Sequence, residues 1–333
     1  MKDLAQVEPI LNVRDLRTHF EIKRGKLHAV DGVSFSVNPG RVLCIVGESG
    51  SGKSVTVMSL LRLIRRPGKV TGGTAVFHGD DLLTMSRQQL ADIRGDRISM
   101  IFQNPLTSLN PALTIGDQVS EGLILHRGMG RREAQAEAVK LLRQVGIPSP
   151  KERVTDYPAS FSGGMRQRIM IAAALSCKPE LLIADEPTTA LDVSMQAQIL
   201  DLLKELQAEI NNVLVMITHD LGVVASIADE VMVMYSGKVV EQAPVREIFA
   251  APRHPYTQGL IATVRALDDA SRPLHPIPGT PAIPLGQRMG CAFAPRCGFA
   301  TDQCRLETPH LELVGSAHTV ACHVKPDPDR THV

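Results

Sequence analysis

The sequence predicts an α/β fold with a mostly parallel central sheet, and three observations carry that expectation. Short runs such as Leu181-Leu182-Ile183-Ala184 are wholly apolar, as strands covered on both faces must be. Segments with apolar residues at helical spacing alternate with them. A glycine-rich loop, Gly47-Glu48-Ser49-Gly50-Ser51-Gly52-Lys53-Ser54, joins one such strand to one such helix.

In chain order, Leu11 to Arg14, Ala29 to Val37 and Val42 to Val46 read as short strands, with Asn38-Pro39-Gly40 as a turn. Ser54 to Ile64 reads as a helix that stops near Arg65-Arg66-Pro67-Gly68. Arg131 to Val145 places Ala134, Ala138, Leu141, Leu142 and Val145 on one stripe, and Gly163 to Ser176 is a second helical segment. After the Leu181 strand come the helical segment Ser194 to Glu209 and the strand Val213 to Thr218. There is no internal repeat and no low-complexity tract.

Composition narrows the functional classes. The 333 residues carry a net charge of +1 with 3% aromatics and no Trp, which argues against a nucleic-acid binder. The apolar stretch from Ile169 to Cys177 is far short of the roughly 18 residues a membrane span requires. The first residues show no basic flank followed by an apolar run, so a cytoplasmic, reducing compartment is expected, and the six cysteines are not expected to form disulfides. Half of the 22 prolines follow residue 250, which marks a composition boundary between a compact domain over 1–250 and a loop-rich extension over 251–333.

The glycine-rich loop matches G-x-x-x-x-G-K-[ST]. Glycines let successive N–H groups face one anion, and the helix N-terminus adds its positive end. Lys53 reaches the terminal phosphates, and Ser54 can ligate Mg²⁺. The strand ending in Asp185-Glu186 supplies an acid near the metal and a second one to orient or deprotonate water. Gln103 and His219, each taken singly, carry little information.

Phe161-Ser162-Gly163-Gly164-Met165-Arg166-Gln167-Arg168, with the phosphate loop upstream, resembles the signature of ABC-transporter ATP-binding subunits, in order through residues 10 to 245. The resemblance implies an ABC-type nucleotide-binding domain with a helical subdomain inserted at about 103–165. It makes Gln103 the Q-loop glutamine, which also serves the metal site, and Asp185 the metal-site acid. Glu186 becomes the catalytic base, Ala190-Leu191-Asp192 the D-loop, His219 the switch histidine and Phe20 the aromatic that stacks on adenine. Ser162, Gly163 and Gly164, which hold a γ-phosphate in the family, are present; Phe161 and Met165 depart from the usual Leu and Gln.

A narrower resemblance, carried by Thr107-Ser108-Leu109-Asn110-Pro111, Pro252-Arg253-His254-Pro255-Tyr256-Thr257 and Pro278 to Pro281, is to the dipeptide and oligopeptide importer subunits. It implies ATP-driven peptide import at the cytoplasmic face of a bacterial inner membrane. The implied partners are two transmembrane permease subunits, a related but non-identical ATP-binding subunit, and an extracytoplasmic solute-binding protein. Nickel and glutathione importers share much of this pattern, while soluble ABC ATPases of repair, translation or redox sensing are the rival class.

Cys291, Cys297, Cys304 and Cys322 crowd the extension. Four thiolates suit a [4Fe–4S] cluster or tetrahedral Zn²⁺, and unligated thiols are the third reading. Gaps of five and six residues exceed those usual in zinc knuckles, and the resemblance also points toward iron–sulfur. His318 and His323 read as solvated, Cys44 and Cys177 as buried small hydrophobes.

Overall fold

The computed structural model describes residues 8–189, 192–210, 212–268, 276–286 and 289–325. The chain divides into two compact units, one made of residues 1–84 and 218–333 and the other of residues 85–217.

In the first unit the strand Val42–Val46 is buried along its whole length and pairs in parallel with Glu230–Tyr235, Leu43 opposite Glu230 and Val46 opposite Val233. Lys238–Pro244 continues this sheet antiparallel, and Thr319–Val320 and Glu312–Leu313 extend its edge. Val42–Val46 is the wholly apolar strand of this set, and the two-residue strands Thr319–Val320 and Glu312–Leu313 lie at its edge.

The same unit holds a separate antiparallel sheet, ordered Gly25–Val37, Leu11–Ile22, Gly68–Phe77, Asp80–Asp81. Here the sequence reading was too short: the expected strand Leu11 to Arg14 continues to Ile22. A register shift between Val13 and Leu16, with Asp15 at φ +48°, puts two outward residues in succession and breaks the alternation by which a strand is recognised.

The second unit is built on Ile98–Ile101, Leu181–Asp185 and Val213–Ile217, three parallel strands in which Leu181 pairs with both Ile98 and Val213. The last two are buried throughout, which is the reason their sequences are uninterruptedly apolar. Its helices include Ile115–Arg127, capped by Thr114, whose hydroxyl accepts the Asp117 N–H. Arg131–Gln144 buries Ala134, Ala138 and Leu142, the stripe expected from their spacing of four. Leu123, Ala134 and Cys177 form one small core there, with Ile124, Met129 and Leu141 against it. No helix among the described residues is long and apolar enough to cross a membrane.

Candidate nucleotide site

The phosphate loop leaves the buried strand at Val46 and enters the helix Lys53–Leu60. Gly47 and Gly52 have φ of +150° and +104°, and a Cβ on either would stand 2.2 Å from the Met234 carbonyl oxygen or 2.3 Å from that of Ala29. Both positions therefore require glycine for space as well as for conformation. Gly52, the N-cap, offers no side chain to cap the helix, whose N-terminus carries the positive end of the helix dipole.

Lys53 is buried, and its ammonium donates to the carbonyl oxygens of Gly47 at 2.7 Å and Glu48 at 3.0 Å. Ser51 Oγ is buried without a hydrogen-bond partner. A helix N-terminus without a side-chain cap, a cation curled over the loop and the unpaired Ser51 hydroxyl fit a nucleoside triphosphate. Ser49 and Gly50 are exposed, and Ser54 is half-buried at the start of the helix.

His219, also in this unit, is exposed and directly precedes Asp220, which caps the helix Leu221–Ile227 by accepting the Gly222 and Val223 N–H groups. Phe20 pairs with Gly68 across the antiparallel sheet, its ring so close that a Cβ on Gly68 would fall 2.5 Å from Cε1. The aromatic is thus fixed by a glycine opposite it.

In the second unit, Asp185 closes a buried strand and is itself 2% exposed. Glu186 follows at φ +46°, a left-handed conformation uncommon for a residue with a side chain. Its N–H donates to the Ile217 carbonyl at 3.0 Å. One carboxylate oxygen, Oε2, accepts both the Gln103 amide at 2.8 Å and the Thr189 hydroxyl at 2.9 Å. The structure therefore places Gln103, which carries little information taken singly, directly on Glu186. Of the D-loop, Ala190 and Leu191 lie outside the described residues; Asp192 Oδ1 accepts the Met195 N–H at 2.8 Å and caps the following helix.

The signature segment opens the helix Gly163–Leu175, with Ser162 as its N-cap accepting the Met165 N–H at 3.3 Å. Gly163 is exposed and Gly164 buried. The two departures from the usual motif share one partner. Arg153 lies 4.0 Å over the Phe161 ring, donates to Met165 Sδ at 3.8 Å and to the Ser160 carbonyl at 3.0 Å. Arg166 holds the carbonyl oxygens of Pro158 and Ala159. Phe161 and Met165 are thus packing partners of an arginine that braces the turn before the helix.

The four cysteines of the extension are half-buried, except Cys304, which is buried. Burial raises the thiols of Cys291, Cys297 and Cys322, Cys297 to about 11, and neighbouring cysteines push each further up. Backbone N–H groups aim at three of the sulfurs, among them that of Lys325, 3.3 Å from Cys322 Sγ. Among the described residues no group of three or more His, Cys, Asp or Glu is arranged to hold a metal ion. Cys44 and Cys177 are buried as expected, and burial pushes the Cys44 thiol up to about 12.

His318 corrects the sequence reading. It is 4% exposed, its Nε2 lies 2.7 Å from Glu241 Oε1 and its Nδ1 3.2 Å from Glu247 Oε2. Glu241 is fully buried and also accepts the Arg253 and His254 N–H groups, so a donor from the far end of the extension completes its shell. His323 is half-buried and meets the Glu307 carbonyl oxygen at 2.9 Å.

Known proteins agree with this geometry. The family model described as ABC transporter matches residues 30–189, and the one described as the C-terminal region of oligopeptide/dipeptide transporters matches residues 240–304. The oligopeptide transport ATP-binding protein OppD of Haemophilus influenzae is 50% identical over 300 residues, covering 90% of this chain and 93% of that one. AppD of Bacillus subtilis, which carries the same description, is 48% identical over 314 residues, 94% of this chain and 96% of its own. Among solved structures, a dimeric ATP-binding cassette in a post-hydrolysis state with ADP and phosphate superimposes with a TM-score of 0.64 at 28% identity, covering 71% of this chain and 99% of that one. The fold and the phosphate loop define an ATP-binding cassette of the P-loop class. Within that class, the chain belongs to the ABC-transporter ATP-binding subunits of the oligopeptide and dipeptide branch.

Proposed function

We propose that this chain is the ATP-hydrolysing subunit that powers import of di- or oligopeptides through an ABC transporter. The observation that carries the reading is the likeness to OppD and AppD over nine-tenths or more of the chain, together with the match of residues 240–304 to the C-terminal region of oligopeptide/dipeptide transporters.

In this role the loop Gly47-Glu48-Ser49-Gly50-Ser51-Gly52 wraps the phosphates, with main-chain N–H groups other than that of Glu48 turned to them, and Lys53 exchanges its loop carbonyls for phosphate oxygens. Ser54, Gln103 and Asp185 are the residues to hold Mg²⁺, which when bound neutralises charge on the phosphates. Glu186 takes a proton from the attacking water, held until then by Gln103 and Thr189. His219 contacts the γ-phosphate, and Phe20 stacks on adenine. Ser162, Gly163 and Gly164 serve the nucleotide of a second, related subunit. ATP binding favours the closed pair and hydrolysis releases it, a population shift set by differential affinity.

The nucleotide-binding part runs to about Ala250, with the helical subdomain of about 103–165 docking two permease subunits at the cytoplasmic face of the membrane. An extracytoplasmic binding protein supplies the peptide. Copurification tests the assembly: recovery with transmembrane subunits and a second ATP-binding chain is expected, and a purely soluble complex contradicts it.

For Cys291, Cys297, Cys304 and Cys322 the proposal is a [4Fe–4S] cluster, with zinc as the alternative metal. Support comes from the crowding of the four thiols within the last part of the sequence and from the Cys291 N–H, which donates to the Cys304 carbonyl at 2.7 Å; among the described residues the thiols are not arranged to hold a metal. Anaerobically prepared protein is expected to hold iron and acid-labile sulfide; zinc alone, or no metal, removes the cluster.

A further inference from the structure

The second residue of the phosphate loop, Glu48, is held by two residues of the C-terminal segment. Its main-chain N–H donates to the Tyr256 hydroxyl at 2.7 Å. Its carboxylate receives both terminal nitrogens of Arg296, NH1 to Oε2 at 2.7 Å and NH2 to Oε1 at 3.0 Å. This is the two-pronged geometry in which a guanidinium binds a carboxylate most firmly.

Arg296 is built in as firmly as it binds. Its side chain is 6% exposed, its Nε donates to the Pro278 carbonyl at 2.7 Å and its NH1 reaches the Tyr235 hydroxyl at 3.3 Å. Tyr235, Tyr256 and Phe293 pack ring against ring at 4.8 to 5.4 Å beside it. Arg296 lies on the short turn Ala294–Arg296, between Cys291 and Cys297.

A carboxylate on a loop that binds a polyanion is an electrostatic liability, since like charges within a Debye length of about 8–10 Å repel. The loop's own Lys53 is needed by the phosphates, so Glu48 requires a second cation. The Glu48 N–H, engaged by Tyr256, is directed to the protein and not to the anion.

We infer that Arg296 is a positioning residue for nucleotide binding: with Tyr256 it fixes Glu48 and cancels its charge, so that the phosphate loop presents net positive potential to ATP. The inference rests on reading residues 47–54 as the phosphate loop. It gives the C-terminal segment a part in ATP capture.

Electrostatic compensation and simple bracing predict different signs. In equilibrium titrations of the full chain with a fluorescent ATP analogue and Mg²⁺, Arg296→Met is expected to weaken binding roughly tenfold, an effect that shrinks in high salt. Glu48→Gln, which leaves Arg296 uncompensated beside the loop, is expected to tighten binding roughly threefold. The double variant is expected to return to within about threefold of wild type. If Arg296→Met does not fold, the Glu48→Gln titration still decides. Weaker binding in Glu48→Gln, or wild-type binding in Arg296→Met, overturns the inference. Failure of the wild-type chain to bind the analogue overturns the phosphate-loop reading instead.

Discussion

Glu186 is where residue-level structure bears most directly on chemistry. Its left-handed backbone follows Asp185, the last residue of a buried strand, and one oxygen is tied by Gln103 and Thr189, leaving Oε1 outside those two hydrogen bonds. Holding a non-glycine residue at positive φ costs on the order of 1 kcal/mol, a strain that recurs at functional positions. Glu186→Gln preserves the shape and both hydrogen-bond partners but removes the base. Its ATP turnover is expected to fall by a factor of roughly 10² or more, while binding of the ATP analogue stays within about threefold. Single-turnover hydrolysis measures this, and a rate near wild type would remove Glu186 from the role.

At the scale of elements, two braces stand out. The turn before the signature helix hangs on Arg153, through Phe161, Met165 and Ser160. Arg153→Ala is expected to destabilise the fold by about 1–2 kcal/mol in urea unfolding and to lower ATPase activity with nucleotide affinity unchanged. The second brace is the segment around His254, whose Nδ1 accepts the Tyr256 N–H at 3.1 Å. Burial lowers the His254 pKa from 6.5 to about 4, with the Glu241 carboxylate opposing the shift. Between those values the unfolded chain binds more protons than the folded one, so stability falls as pH drops from about 6.5 to about 4 and levels off below. The loss attributable to this residue is about 3 kcal/mol. Chemical denaturation at a series of pH values checks it: His254→Asn should flatten that part of the profile relative to wild type, and parallel profiles would count against it.

At the scale of the whole molecule, legibility in the sequence followed range. The strand into the phosphate loop, the loop itself and the buried strand before Glu186 were readable because each is a contiguous pattern with a local physical cause. The antiparallel sheet was read too short because the Asp15 irregularity interrupts its alternation. The Gln103–Glu186 bond joins residues 83 positions apart, and Arg296 meets Glu48 across 248, so no local spacing announces either. A glutamate inside a phosphate-binding loop was the one signal that a compensating cation had to exist elsewhere. His318 was misread for a similar reason, since the carboxylate it serves lies 77 positions away. Nor could the sequence explain Phe161 and Met165 without their common partner.

The central claim, that this chain converts ATP hydrolysis into peptide import, is tested most directly by ATPase activity in the reconstituted transporter with its binding protein. Peptides are titrated against nickel and glutathione as competing solutes. The account predicts that peptide-loaded binding protein stimulates hydrolysis several-fold and that Glu186→Gln abolishes the response. Stimulation by nickel or glutathione but not by any peptide would contradict it.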